Sequence, residues 1–578
     1  LNMNQKLENI LNVSLDATED ELRKADSLST GYNWRDNTWE IIVKYSGSLE
    51  SIRNRYNVYI KELLNYYAII VADKATIELI SQEDVIDYVE KPKSLYYQIE
   101  RTKTAACVGS VRADGNILSG KGVIVGVIDT GIDIFDNAFR NSDGTTRILN
   151  IYDQTTGEKY DKQSIDEYIR LNEDLSGGTF SYDNAPGVDN IMHGTDVSYI
   201  AAGSLGVAYE ADIIAVKMGY SINNQFPRTT SLMDAIDYII RKAIEYRKPV
   251  AVNISYGCNY GAHNGNTLLE SFIDDISKSY RCVICVGSGN EADKAIHFGG
   301  IINTGQVQTA YLSVGEYQSA IDIQIWKNYW DTIDVMLINP RGEQIGIITE
   351  GRINRYETYN TEIITLLGEP SPYNIYQEIY INLIPKTDYI LSGIWQIVLM
   401  AGSIRAGEYN IWLPSSQALG YATAFNNPTA DGTITIPATA RNCIAVGAYN
   451  AYTNSYAAFS GRGFDNSIRN VNAGVKPDIT APGVDISIAR QRGNDITYRN
   501  VTGTSYAVPV VTGAAALLMQ WGIVMGNDRF MYGEKLKAAL IDGSKPVGLV
   551  GITRNDNQPD PRTGWGAVCL KNTLNKIL

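Results

Sequence analysis

Short runs of apolar residues punctuate this chain, and their period changes along its length. Over roughly the first 98 residues, "TWEIIVKY" alternates as a strand and "SLESIRNRY" has helical spacing. "VYIKELLNYYAIIVAD" holds one or two strands, "KATIELISQ" reads as a helix and "VIDYVEKP" as a last strand. This strand–helix–strand–strand–helix–strand order predicts a small ferredoxin-like α+β unit. The aperiodic "KPKSLYYQIERTKTAACVGS" predicts a linker. From about 107 to 297, "GVIVGVID", "DIIAVKMG", "VAVNISYG" and "CVICVGSGN" alternate with helical patterns such as "TTSLMDAIDYIIRKAIEY". Apolar strands alternating with helices predict a parallel sheet covered on both faces. Between 298 and 430 helical spacing nearly vanishes. About seven short strands with turns between them, from "AIDIQIW" to "EYNIWLP", predict an all-β sandwich or jelly roll. After 431 the α/β pattern resumes with "CIAVGAYN", "KPDITAPG" and "VTGTSYAVPVVTGAAALL". The expected architecture is therefore an α/β domain in two parts, 99–297 and 431–578. A β domain, 298–430, is inserted in it, and a separate unit, 1–98, precedes it.

Composition adds limits. A chain of 578 residues predicts about three or four domains. Lys and Arg number 50 against 64 Asp and Glu, a net charge of −14, which argues against nucleic acid or an anionic membrane as the main partner. No apolar run of about 18 residues occurs, so no membrane span is predicted. The N-terminal "LNMNQKLENILNVSLDATEDELRK" has no apolar core or small-residue cleavage site, so no secretory signal is visible; a first residue other than Met leaves a removed leader open. Six cysteines in this length do not make a disulfide framework. They imply a reducing compartment, or a chain that does not rely on disulfides. Cys282 and Cys285, in "RCVICVGSGN", read as core thiols of a buried strand rather than zinc or redox groups. Only three histidines exist, His193, His263 and His297, so any imidazole chemistry must use one of them.

Three junctions carry candidate chemistry. Asp129 closes the apolar strand "GVIVGVID", His193 stands just before an apparent helix in "NIMHGTDVSYIAAG", and Ser505 stands at a helix start after Gly503. Taken singly, these are a turn acid, a structural histidine and an N-cap. Taken together they form a chemical set. A serine needs a base to remove its proton, and a neutral imidazole has a suitable pKa. The imidazole needs an acid to fix its tautomer and stabilise its charged form.

The segments "VIVGVIDTGID", "HGTDVSYIAAG" and "GTSYAVPVVTGAAALL" resemble the three signature blocks of the subtilisin family, whose Asp–His–Ser order they share. The resemblance covers about 107–297 and 431–578. It implies that Asp129 orients His193, that His193 is the general base and that Ser505 is the nucleophile. "CVGSGNEAD" resembles the block that supplies an oxyanion-hole amide, here Asn290, with the Ser505 N–H as second donor. "VNISYGCN" resembles the strand lining the substrate cleft, which implies that Ser255, Tyr256 and Gly257 pair with substrate backbone, with Gly289 a further substrate-binding residue. "KPDITAPG" matches a structural turn at Pro482 and Gly483.

The departures are specific. Where the family carries a second histidine three residues after the base, this chain has Asp196, a carboxylate expected to raise the pKa of His193. Tyr506 replaces the usual Met, and Pro509-Val510 the usual Pro-His. "AAGSLGVAYEAD" lacks the longer loop that binds calcium in many members, so that site is expected to be absent; no metal or cofactor is predicted. His263 and His297 are expected to be structural or exposed, and Trp326, Trp330, Trp395 and Trp412 to pack the β core rather than bind carbohydrate. The leading unit, "NISYGCNYGAHNGNTLLE" and the β insertion resemble the clostridial Csp germination proteases. That resemblance implies a self-cleaved propeptide retained in the cleft, a stiffening jelly roll, a cytoplasmic or spore-associated location, and activation of a cortex-lytic proenzyme. The cut is expected in "SLYYQ", after about Gln98. The expected function is a serine endopeptidase acting on protein or peptide. The alternative is a catalytically silent or propeptide-inhibited pseudoprotease serving as a scaffold or signalling protein.

Overall fold

The computed structural model describes residues 6–19, 22, 29, 31–63, 66–91, 105–108, 112–113, 116–174, 185–221, 224–348, 353–370, 374–464, 474–492, 495–548 and 559–578. They fall into two compact units, 1–96 and 97–578.

In the first unit the strand Thr38–Tyr45 buries Trp39, Ile41, Val43 and Tyr45 on one face, the period-2 pattern of a half-buried sheet. It pairs antiparallel with Tyr67–Ala72 and with Ile86–Glu90, and Tyr59–Leu63 pairs outside Tyr67–Ala72. The helices Glu50–Tyr56 and Lys74–Gln82 make the connections, the latter capped by Asp73, which accepts from the Thr76 N–H at 2.8 Å. This is the ferredoxin-like order read from the sequence, and "VYIKELLNYYAIIVAD" resolves into two strands. A further helix, Asn9–Asp16, was not anticipated; its Leu11 and Leu15 enter the same core.

The second unit is built on a nine-stranded sheet. Ile148–Asp153, Asp212–Lys217, Ile124–Asp129, Val250–Ile254, Cys282–Gly287, Ile444–Asn450 and Ile479–Pro482 lie side by side in that order, all parallel. Alternation splits each strand between two cores. Val125 and Val127 face the side holding the helices His193–Ala202 and Thr504–Met519. Ile124 and Ile128 face Thr229–Tyr246 and Leu268–Ser279. The same alternation sends Cys285 to the first face and Cys282 to the second, and burial pushes both thiols up to about 12, so they act as core side chains. The stretch Thr504–Val524 is the one helix among the described residues long and apolar enough to cross a membrane; 89% of its apolar window is buried inside this unit. An all-round apolar surface is what a helix laid across a sheet requires. Its Thr512 hydroxyl donates to Asn253 Oδ1 at 3.1 Å.

Between Cys282–Gly287 and Ile444–Asn450 the chain leaves the sheet and builds a six-stranded and a five-stranded antiparallel sheet, from His297–Ile301 to Ala424–Phe425. Their facing Ile, Val and Leu side chains form one core with Trp395 and Trp412. Trp326 packs against that core from its edge. Trp330 departs from expectation: it lies in the turn after Ile321–Asn328 and is 44% exposed. His263 and His297 are both buried, stacked on Trp412 with ring centroids 4.1 and 4.9 Å away.

The cysteine expectation needs correction. Cys107 and Cys569, separated by 462 residues, are joined in a disulfide with their Cα atoms 4.7 Å apart. Spacing along the chain gives no sign of such a pair. The contact exists because segment 105–108 runs beside the helix Leu570–Ile577, whose Leu570 N–H donates to the Ala106 carbonyl at 3.2 Å. Closing a long loop stabilises a fold by restricting the unfolded chain, typically by about 2–4 kcal/mol. Reduction, or Cys107→Ser, is expected to lower the melting temperature, and non-reducing peptide mapping should recover the Cys107–Cys569 pair.

Candidate active site

Asp129, the last residue of a central strand, is only 1% exposed. Its Oδ1 accepts from the Thr130 N–H at 2.8 Å and lies 2.6 Å from His193 Nδ1. His193 opens the helix His193–Ala202, whose N-cap position, Met192, supplies no capping side chain. Asp189 takes over that task. Its Oδ1 accepts from the Met192 N–H (2.7 Å) and the Thr130 hydroxyl (2.8 Å), and its Oδ2 from the Thr195 N–H and hydroxyl (both 2.8 Å). Thr130 Oγ1 in turn accepts from the Gly194 N–H at 2.9 Å. Strand end and helix start are thus cross-linked on both sides of the Asp129–His193 bond. Gly194 makes the approach possible, since a Cβ there would fall 2.3 Å from the Gly131 carbonyl oxygen.

Ser505 is the second residue of the helix Thr504–Met519. That helix follows Gly503, whose φ of +152° suits a residue with no Cβ. The N–H groups of a first helical turn have no intrahelical partner, so the Ser505 N–H is left for another acceptor. Asn290 Oδ1 accepts from the Thr504 N–H (3.0 Å) and hydroxyl (3.1 Å). An N–H can only meet the oxygen of that amide, so Asn290 Nδ2 is turned toward Gly503 and the cleft. His193, Ser255, Tyr256, Gly257, Gly289, Asn290 and Ser505 all line one cleft of about 620 Å³. The Ser255 hydroxyl donates to the Ser505 carbonyl at 3.3 Å. Among the described residues no hydrogen bond joins the Ser505 hydroxyl to His193; such bonds tighten when substrate binds. Gln98 lies outside the described residues.

Burial works against a charged His193, but the charge and hydrogen bond of Asp129, helped by Asp189, overcome it, and the net effect raises the imidazole above its ordinary value of 6.5. Asp196 does not play the part expected of it. It is fully buried one turn along from His193, and its carboxylate is taken up by Arg490 and Arg499. Tyr506 packs its ring against His193 at a tilt of 53°, centroids 5.3 Å apart. The inserted sandwich also reaches the cleft: Ser415, Ser416 and Gln417 line it. The Ser416 N–H and hydroxyl both donate to Glu291, next to Asn290, at 3.1 Å. Thr435 fills the space between Gly257 and Gly289, where an added Cβ on either would come within 2.4–2.5 Å of it. Sequence reasoning missed Asp189, Thr130, Ser416, Thr435 and the two arginines. An acid shortly before a helix start could have flagged Asp189, and Thr130 lies next to Asp129 in the quoted motif; the others lie too far away in the chain to leave a local signal.

Comparison with known proteins bears on the family and the fold. A model of the subtilase family matches residues 120–370 and 406–566, and one of the Csp protease B prodomain matches 5–93. The solved structure of the Clostridium perfringens CspB protease is similar at 34% identity and a TM-score of 0.75, covering 82% of this chain and 97% of that one. Subtilase-type proteinase RRT12 of Saccharomyces cerevisiae is 33% identical over 128 residues, and Subtilisin-like protease 10 of Arthroderma otae 34% over 120. These matches take in 22% and 21% of this chain, and 23% and 27% of the two relatives' own length, about a quarter in each case.

The electrostatics give a direct prediction. Asp129→Asn removes the charge that raises His193 and leaves burial, so the His193 titration should move to lower pH. Histidine ring-proton NMR, with three histidines to assign, reads this; an unmoved resonance contradicts the assignment of Asp129 as the principal partner.

Proposed function

Since the chain belongs to the subtilase family, we propose that it is a serine endopeptidase that cleaves peptide bonds through Asp129, His193 and Ser505. The observation that carries this reading is the 2.6 Å Asp129–His193 contact, which opens onto the cleft holding Ser505 and the turned Asn290 amide. In this mechanism the Ser505 hydroxyl attacks the scissile carbonyl while His193 takes its proton. The resulting imidazolium is stabilised by Asp129. Asn290 Nδ2 and the Ser505 N–H receive the negative charge as it develops on the carbonyl oxygen. The proton then passes to the leaving amine, and water hydrolyses the acyl-enzyme by the same route. Ser255, Tyr256 and Gly257 line the cleft, which supports their pairing with substrate backbone as an added strand.

The finer proposal is limited proteolysis. The ferredoxin-like unit, matched as a Csp prodomain, supports a propeptide that is cut after about Gln98 by the enzyme itself and retained in the cleft. The likeness to the CspB protease supports activation of a proenzyme in spore germination, in a cytoplasmic or spore-associated setting.

After propeptide removal, a fluorophosphonate probe is expected to label the wild type and not Ser505→Ala; absence of labelling in the wild type would return the pseudoprotease alternative. N-terminal sequencing should find a new terminus near residue 99 in the wild type and none in Ser505→Ala. His193 must be neutral to accept a proton, and its pKa is raised, so activity should fall as pH drops through an acidic limb lying above about 6.5. Asn290→Ala should lower kcat by about 10²–10³, the cost known for the equivalent donor in subtilisin, with KM little changed.

A further inference from the structure

The nucleophile and the base stand on different helices. Those helices touch tightly in their later turns, where a Cβ on Gly513 would fall 2.9 Å from the Ala201 carbonyl. Their reactive ends, at His193 and Ser505, are bridged instead by the hairpin that leads into Ser505. It consists of Ile486–Arg492 and Asp495–Val501, paired antiparallel with Ile488 opposite Arg499 and Arg490 opposite Thr497. Cross-strand partners and residues two apart share a face, so Arg490, Arg492 and Arg499 all project from the same side.

That side meets the Asp129–His193 half of the cleft. Arg492 Nε donates to Asp133 at 2.8 Å. Arg490 and Arg499 converge on the residues either side of the base. Both donate to the Met192 carbonyl, at 3.0 and 3.2 Å. Both pair with Asp196, Arg490 through Nε at 3.1 Å as well as through Nη2. Met192 is the residue before His193 and holds a left-handed φ of +67°, uncommon for a non-glycine residue. Two guanidinium N–H groups on its carbonyl fix the peptide plane that aims the His193 backbone. A buried carboxylate left without its cations is strongly unfavourable, so Asp196 holds the hairpin as firmly as the hairpin holds it.

We propose that Arg490 and Arg499 are positioning residues of catalysis: they clamp the first turn of the His193 helix to the hairpin that delivers Ser505, and so set the base against the nucleophile. This deepens the protease reading and rests on it. Lysine cannot replace the clamp, because a single ammonium lacks the planar fork that reaches Met192 and Asp196 together. The charged and titratable groups facing His193 are Asp129 at the strand end, Asp189 in the preceding loop, Arg499 on the hairpin and Tyr506 on the nucleophile helix, with Arg490 behind. Of these Arg499 is a cation that works against protonation of the imidazole.

The test uses full-length processed protein. Arg499 is 41% exposed, so Arg499→Gln is expected to fold. It should lower kcat for a peptide substrate about 10- to 100-fold, the scale of a displacement of about an ångström at a reacting pair, with KM within about twofold. It should also move the acidic limb, and the His193 resonance, to higher pH. Arg499→Lys and Arg490→Lys keep the charge and lose the fork, so they should show the kcat loss with the pH limb unmoved. A purely structural role predicts lower melting temperatures with kcat and pH limb intact, and that result overturns the proposal. If Arg499→Gln does not fold, the lysine variants decide it: wild-type kcat in both overturns it. If the wild type is inactive toward probe and peptide, the protease reading fails on its own. The His193 titration then still tests the clamp, which is refuted if the resonance of Arg499→Gln matches that of the wild type.

Discussion

A carboxylate buried at the tip of a central strand sets the terms for everything around it. Asp129 is shut off from water, and burying an acid is unfavourable unless hydrogen-bond donors surround it. One donor is the next backbone N–H and another is the imidazole of His193. To bring that imidazole within 2.6 Å, a helix must begin almost on top of the strand end. That explains Gly194, Thr130 and the four hydrogen bonds gathered by Asp189. The helix bearing Ser505 crosses the same face of the sheet, and Asn290 is turned by its contact with the first residue of that helix. Once the acid is placed, little of the geometry remains free.

The sequence made the layers legible because their signals are local. Period-2 strands, 3.6-period helices and a long change of pattern after 298 marked the ferredoxin-like unit, the parallel sheet and the inserted sandwich. The strand Thr38–Tyr45 coincides with the quoted "TWEIIVKY". Asp129, His193, Asn290 and Ser505 were legible because they sit in short motifs at strand and helix ends, whereas Ser416 and Thr435, which also line the cleft, sit in none. What stayed hidden depends on distance along the chain. Cys107 meets Cys569 only after the whole sheet has formed. Sequence proximity assigns Asp196 to His193, because the two are three residues apart. Its partners, Arg490 and Arg499, come from about 300 residues downstream. The hairpin that carries them is short, polar and mostly exposed along its second strand, so no apolar period announced it.

The inserted sandwich is more than an ornament on the sheet. Trp412, from its six-stranded layer, lies between His263 of the parallel-sheet domain and His297 at the start of the insertion. It also donates to the Gly432 carbonyl at 2.9 Å. Ser416 bonds the residue next to Asn290. An all-β module anchored this way supplies part of the cleft wall and restrains the turn on which the Asn290 amide sits.

The Cys107–Cys569 bond turns the long second unit into a covalent ring. For a protease, that topology limits the damage one stray cut can do. A nick anywhere between the two cysteines opens the ring but sheds no fragment, and the halves stay at each other's disposal to re-form the sheet.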